Sequence, residues 1–173
     1  MGSVSNDQQL HLLLKLICES VNTETQLNSK LLRDILDVVE GLMREALNSK
    51  GKYDHSSLKL NCNFISNSVA HLQKETAGRK VLKLTHREHA IPLRVVLREL
   101  YKLKNINPDV LKEYFERYLV SVLITKDEQK LLDSSEHKIK DKMPPEWDGK
   151  DVFARFLKVG IKIQERHSNQ FAA

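Results

Sequence analysis

Glycine, cysteine and aromatic residues are scarce in this chain of 173 residues, and each scarcity removes a class of chemistry. The six glycines stand at positions 2, 41, 51, 78, 149 and 160, never close together. Loops that cradle phosphates cluster their glycines so that backbone N–H groups can approach the ligand, so both nucleotide-binding fingerprints are excluded. No Gly-x-Ser-x-Gly elbow presents a serine nucleophile. Cys18 and Cys62 are the only cysteines. They form no Cys-x-x-Cys pair, which removes zinc ribbons and dithiol redox sites. They read as reduced, buried thiols of a cytoplasmic or nuclear protein.

Long apolar runs are missing as well. The longest uncharged apolar-rich run is Tyr118 to Thr125, against the ~20 residues a bilayer requires, so no integral membrane association is expected. The polar N-terminal residues carry no secretory signal. Asn6 stands where N-myristoylation wants Ser or Thr, and there is no Asn-x-Ser/Thr acceptor. With aromatics at 6%, the core must be built from Leu, Ile and Val.

What is present is charge and helical periodicity. Hydrophobic residues at 40% and charged residues at 29% make a globular rather than a disordered mix. The length suits one ordinary domain that buries roughly 70% of its unfolded surface. Ser5 and Gln8 form a capping box before Leu10, Leu13, Leu14 and Ile17. A second helix from about Asn28 places Leu32, Ile35, Val39 and Met43 on one side, with apolar residues over half its circumference. A third is expected from Ser56 to Lys74. Thr85 and Glu88 suggest a further capping box, with Pro92 kinking that helix or starting it near Ile91. Asn107-Pro108-Asp109 is a helix start, and the apolar residues run on through Leu123. Thr125 and Glu128 cap a shorter helix. Strand patterns and internal repeats are absent from this reading. The expected fold is all-α: a compact bundle or short stack of seven to eight amphipathic helices in one domain over residues 1–173. Residues 136–149 form a charged Pro/Trp loop and 150–167 a C-terminal helix capped by Asp148, with Gly160 allowing close helix approach.

Few residues suggest enzyme chemistry. In His86-Arg87-Glu88-His89, two histidines three apart would share a helix face and begin a metal site. Zinc-protease, zinc-deaminase and di-iron spacings are all unmet. The plainer reading is a helix N-terminus with Glu88 capping. Asp34, Asp37 and Glu40 alternate with Lys30, Arg33 and Arg44 as in a solvated, ion-paired helix face. No metal, catalytic residue or cofactor is assigned.

The charge is uneven. Residues 1–50 hold 5 basic and 7 acidic side chains, net −2, and the remainder holds 23 and 16, net +7. On a helix, Lys83, Arg87, Arg94 and Arg98 fall within about 60° of one another. Arg155, Lys158, Lys162 and Arg166 line a second face. Such stripes are candidate contacts for phosphate or an acidic partner, or simply the wet faces of amphipathic helices. The lone tryptophan follows two prolines in Lys142-Met143-Pro144-Pro145-Glu146-Trp147. It either pins the loop onto the bundle or serves as an interface anchor.

Leu32-Arg33-Asp34-Ile35-Leu36-Asp37-Val38-Val39 resembles the short interaction helix of apoptosis-regulator bundles, and Trp147-Asp148-Gly149-Lys150 resembles that family's Trp-Gly-Arg segment. Leu36 replaces the family's usual small residue, Asp148 interrupts the second motif, and the two stretches lie too far apart, so no family is assigned. The expected function is a non-enzymatic helical interaction module that binds another protein or a second copy of itself. RNA or DNA binding through the basic helix faces is the alternative. A role for His86, Glu88 or His89 in catalysis is a third.

Overall fold

The computed structural model describes residues 5–23, 28–44, 59, 61–76 and 79–166. The first two helix starts fall where the sequence places them. Helix α1 (Asn6–Asn22) opens on Ser5, whose hydroxyl accepts from Gln8 N while the Gln8 side chain accepts from Ser5 N. Helix α2 (Ser29–Met43) opens on Asn28, whose Oδ1 accepts from the N–H groups of Lys30 and Leu31. Such caps satisfy amides that have no partner inside the helix.

The all-α expectation, and with it the helical bundle, is overturned by a four-stranded mixed sheet. Its strands are β1 (Phe64–Ser66), β2 (Thr85–His89), β3 (Ser121–Thr125) and β4 (Ile163–Glu165), in the order β2-β3-β1-β4. β3 runs parallel to β1, while β2 is antiparallel to β3 and β4 to β1. Six further helices complete the described elements: α3 (Asn67–Glu75), α4 (Arg79–Leu84), α5 (Leu93–Leu100), α6 (Pro108–Tyr118), α7 (Lys126–Asp133) and α8 (Ala154–Lys158).

Each strand replaces helix for a physical reason. Leu119–Ile124 is apolar at nearly every position, a pattern that fits a strand buried on both faces as well as a buried helix. The β-branched Val120, Val122, Ile124 and Thr125 favour the strand. Helix α6 therefore stops at Tyr118, and four of the five β3 residues are buried. The expected Ser56–Lys74 helix is divided. Residues 56–58 and 60 lie outside the described set, Phe64–Ser66 joins the sheet, and α3 begins only after Ser66, whose hydroxyl accepts from Val69 N. The C-terminal helix expected over 150–167 is five residues long. Gly160 ends it at φ +76°, a left-handed conformation that suits glycine, and no atom within 4 Å would meet a Cβ there. Gly160 thus serves a turn into β4 rather than a close helix approach. Asp148 caps nothing there: α8 follows Phe153, and Asp148 accepts from Lys150 N. Pro92 lies outside its helix, and its carbonyl accepts from Val95 N and Val96 N at the start of α5.

Three buried apolar clusters result among the described residues. α1, α2, α5 and α6 enclose the largest, around Leu14, Ile17, Leu36, Leu100, Leu111 and Phe115. Val122 and Ile124 on one sheet face meet Leu132 of α7, Ile139 and Phe156 of α8. Ile65 and Leu123 on the other face meet Cys62 and Val69. Among the described residues, no helix is long and apolar enough to cross a membrane.

Strand β2 reads Thr-His-Arg-Glu-His, and its side chains alternate between the faces. Glu88 pairs in register with Val122 and points toward α8, where Arg155 is fully buried. Arg155 binds the Glu88 carboxylate and donates to the carbonyls of His89 (2.7 Å), Ala90 (3.3 Å), Ile139 (3.1 Å) and Lys140 (2.9 Å). One guanidinium thereby joins the end of β2 to the loop after α7. Replacing Arg155 by Met should lower unfolding free energy by about 3–5 kcal/mol in urea titration, because Glu88 and four carbonyls lose their donor. Lys158→Met, at an exposed pair, should change it by less than about 1 kcal/mol. Equal effects would show that the internal role of Arg155 is misassigned.

Candidate functional site

The residues proposed to form the two basic stripes separate in the fold. Lys83 is exposed at the end of α4, Arg87 lies on β2, and Arg94 and Arg98 lie on α5. Arg94 is paired to Asp141 (3.0 Å) and Arg98 to Glu99 (2.9 Å). In the second group Arg155 is internal, Lys158 is paired to Glu146 (2.7 Å), and Lys162 is exposed just before β4. The continuous stripe fails because β2 and the Pro92 break interrupt the helix it assumed. His86 and His89 do not share a face: three positions apart on a strand, they point to opposite sides. His86 Nε2 lies 3.3 Å from Glu88, which holds Arg155 instead of capping a helix.

Asp34, Asp37 and Glu40 do not form one solvated face either. Asp34 is exposed, Asp37 half-buried, and Glu40 only 2% exposed. Glu40 lies about 40° from Leu36 around α2, at the edge of the apolar arc, which is the signal that could have found it. Arg87 and His89 reach it from β2. Arg44 Nε donates to Glu40 Oε1 (3.1 Å) and its Nη2 to the Leu119 carbonyl (3.1 Å). Glu40 Oε2 accepts from Arg87 Nη1 (3.1 Å) and lies 3.2 Å from His89 Nε2. Arg87 Nη2 donates to Asp37 Oδ1 (2.6 Å). Burial pushes the Glu40 carboxyl up, but the hydrogen bond with His89 and the charges of His89, Arg87 and Arg44 outweigh it and hold the group at about 2.

Cys62 lies in the neighbouring cleft of about 500 Å³ with Arg44, Asn61, Asn63 and Arg166. Burial, reinforced by the Glu40 charge, pushes its thiol up to about 12. A thiol so far from ionisation is a poor nucleophile despite its basic neighbours.

A second feature is a groove of about 240 Å³ between α5, α6 and the proline loop. Ile91, Val95, Val96, Leu103, Tyr114 and Tyr118 line it, with Trp147 and Gly149 from the loop. The loop turns at Pro144-Pro145, closed by Trp147 N donating to the Pro144 carbonyl (3.0 Å). Trp147 packs on the large cluster and donates Nε1–H to the Asp151 carbonyl (2.8 Å), so it both pins the loop and walls the groove. Tyr114 is tied down likewise, its hydroxyl donating to the Val96 carbonyl (2.9 Å). Of the site residues picked from the sequence, Trp147 alone lines this groove.

No protein-family model, curated protein or solved structure matches the chain.

The depressed Glu40 carboxyl makes a signed prediction. Its contribution to stability is fully present above the unfolded value of about 4.5 and is lost as pH falls toward 2. In chemical denaturation between pH 6 and pH 2.5, Glu40→Gln should be less stable at the upper end by a few kcal/mol and should lose less on acidification. Parallel curves for the two chains would contradict this assignment.

Proposed function

We propose that the chain is a non-enzymatic interaction module that holds an acidic, apolar-anchored segment of another protein in the groove beside Trp147. The observation that carries this reading is the groove's lining. Its three polar-tipped rings, Tyr114, Tyr118 and Trp147, spend their donors on backbone carbonyls and leave aromatic surface for contact. Aromatic anchors of this kind concentrate binding energy at protein interfaces. The volume is below the roughly 300–1,000 Å³ of sites that enclose a drug-sized ligand or cofactor, and suits side chains of a docked peptide.

The rim supplies charge complementarity. Glu99 is shared between Lys102 (2.8 Å) and Arg98 (2.9 Å), so these three carry a net positive charge, and exposed Lys150 follows Gly149. Acidic residues flanking the apolar anchors would meet that rim and gain in association rate. Glu99 and Lys102 are bound to each other rather than poised as a free acid and base, which favours binding over catalysis. Cys18 and Cys62 are both buried, as suits reduced thiols of a cytoplasmic or nuclear compartment.

The direct test uses fluorescent 15-residue peptides with Leu and Phe on one helical face and Asp and Glu on the other, measured by anisotropy. The expected result is micromolar binding, weakened at least about tenfold by Leu103→Asp and about threefold by Lys102→Glu. Short RNA and DNA duplexes serve as competitors. Tight, steeply salt-dependent binding to duplexes with none to peptides would replace this reading by the nucleic-acid one. Self-association lost on Leu103→Asp would instead make a second copy the occupant.

A further inference from the structure

Asp37, Glu40 and His89 each offer a ligand atom, and these atoms lie within 4.8 Å of one another. Glu40 Oε2 and His89 Nε2, 3.2 Å apart, already have the separation of neighbouring ligands around an ion with bonds of about 2.0–2.1 Å. Asp37 is a third exposed and has room to complete the set. A second observation points to the same place. Ser121 Oγ is buried without a hydrogen-bond partner among the described residues. Ser121 stands opposite His89 in the β2–β3 ladder, so the two side chains share a face. A buried hydroxyl without a partner is uncommon and marks a position where a ligand or its water belongs.

We propose that Asp37, Glu40 and His89 form a site for a divalent transition metal, with Arg87 as the cation that the ion displaces. Two carboxylates and one imidazole suit Zn²⁺ or Mn²⁺, whereas Mg²⁺ and Ca²⁺ favour oxygen ligands alone. Arg87 bridges Asp37 and Glu40, so it must swing away for the ion to enter. With Arg44 still held on Glu40, the change from Arg87 to a doubly charged ion leaves the site one positive charge in excess. That excess favours a hydroxide or another anion at the fourth position. Three protein ligands and one open position describe a site of the exchangeable kind rather than a closed structural one. Binding there would tie α2 to β2 independently of the groove.

The test is calorimetric titration of the full chain with ZnCl₂ and MnCl₂, with MgCl₂ as the control. One equivalent of Zn²⁺ or Mn²⁺ should bind, Mg²⁺ at least about tenfold more weakly. Asp37→Asn, a change at a partly exposed position with the fold checked by circular dichroism, should weaken binding at least about tenfold. Arg87→Met should tighten it by about the same factor, since the competing cation is gone. Absence of binding by both the unaltered and the Arg87→Met chains would overturn the proposal. Binding unchanged by Asp37→Asn would do so as well, placing the ion elsewhere. Binding by the Arg87→Met chain alone would overturn it too, since Arg87 would then be a permanent occupant.

Discussion

A strand made entirely of polar side chains can lie between two packed layers only if every charge on it meets an opposite charge. That condition governs β2. On one face Arg87 and His89 meet Asp37 and Glu40 of α2, and on the other Glu88 meets Arg155 of α8. Removing a charge from water is expensive, and a buried pair recovers that expense only with good geometry and further hydrogen bonds. Here the further bonds exist: Arg44 closes the remaining oxygen of Glu40, and four backbone carbonyls surround Arg155. β2 also stands at the edge of the sheet, where charged side chains discourage pairing with another chain.

The same interactions shape the surface. Arg155 holds the carbonyls of Ile139 and Lys140, at the start of the stretch that continues to Met143, Pro144 and Trp147. It also holds the carbonyls of His89 and Ala90, directly before Ile91, which lines the groove. Two of the groove's three sides, the approach to α5 and the proline loop, are therefore referenced to one buried guanidinium. Arg44 does a similar service on the other side, joining α2 to the Leu119 carbonyl between α6 and β3. The proposed binding surface and the internal ion pairs are thus parts of one mechanical arrangement.

The helix starts at Ser5, Asn107 and Thr125 were legible because a cap is a contact between residues two or three apart. The sheet was not. β1 and β4 are three residues each, too short to show a period, and β3 is buried on both faces, so its period does not separate it from a buried helix and only its β-branched residues point to a strand. β2 misled for the opposite reason. A polar strand is expected to alternate with apolar residues, and Thr85 with Glu88 imitates a helix cap, while the acid's real partner lies 67 residues away. Arg155 and Glu40 were assigned to solvent for the same cause: charge predicts exposure unless a distant counter-charge is known. Of the two readings the sequence offers for Trp147, the pinning of the loop is the one visible in its bond to the Asp151 carbonyl and its packing on the large cluster.

The most direct measurement of this account is a double-mutant cycle on Glu40 and Arg87 by chemical denaturation, run beside the same cycle on the exposed pair Arg94 and Asp141. Buried pairing that holds β2 against α2 predicts a coupling of about 2–3 kcal/mol for the first pair and no more than about 1 kcal/mol for the second. Coupling in the first pair no larger than in the second would mean that β2 is held by its neighbours' apolar packing alone. The charges on β2 would then be passengers in the fold rather than its organising constraint.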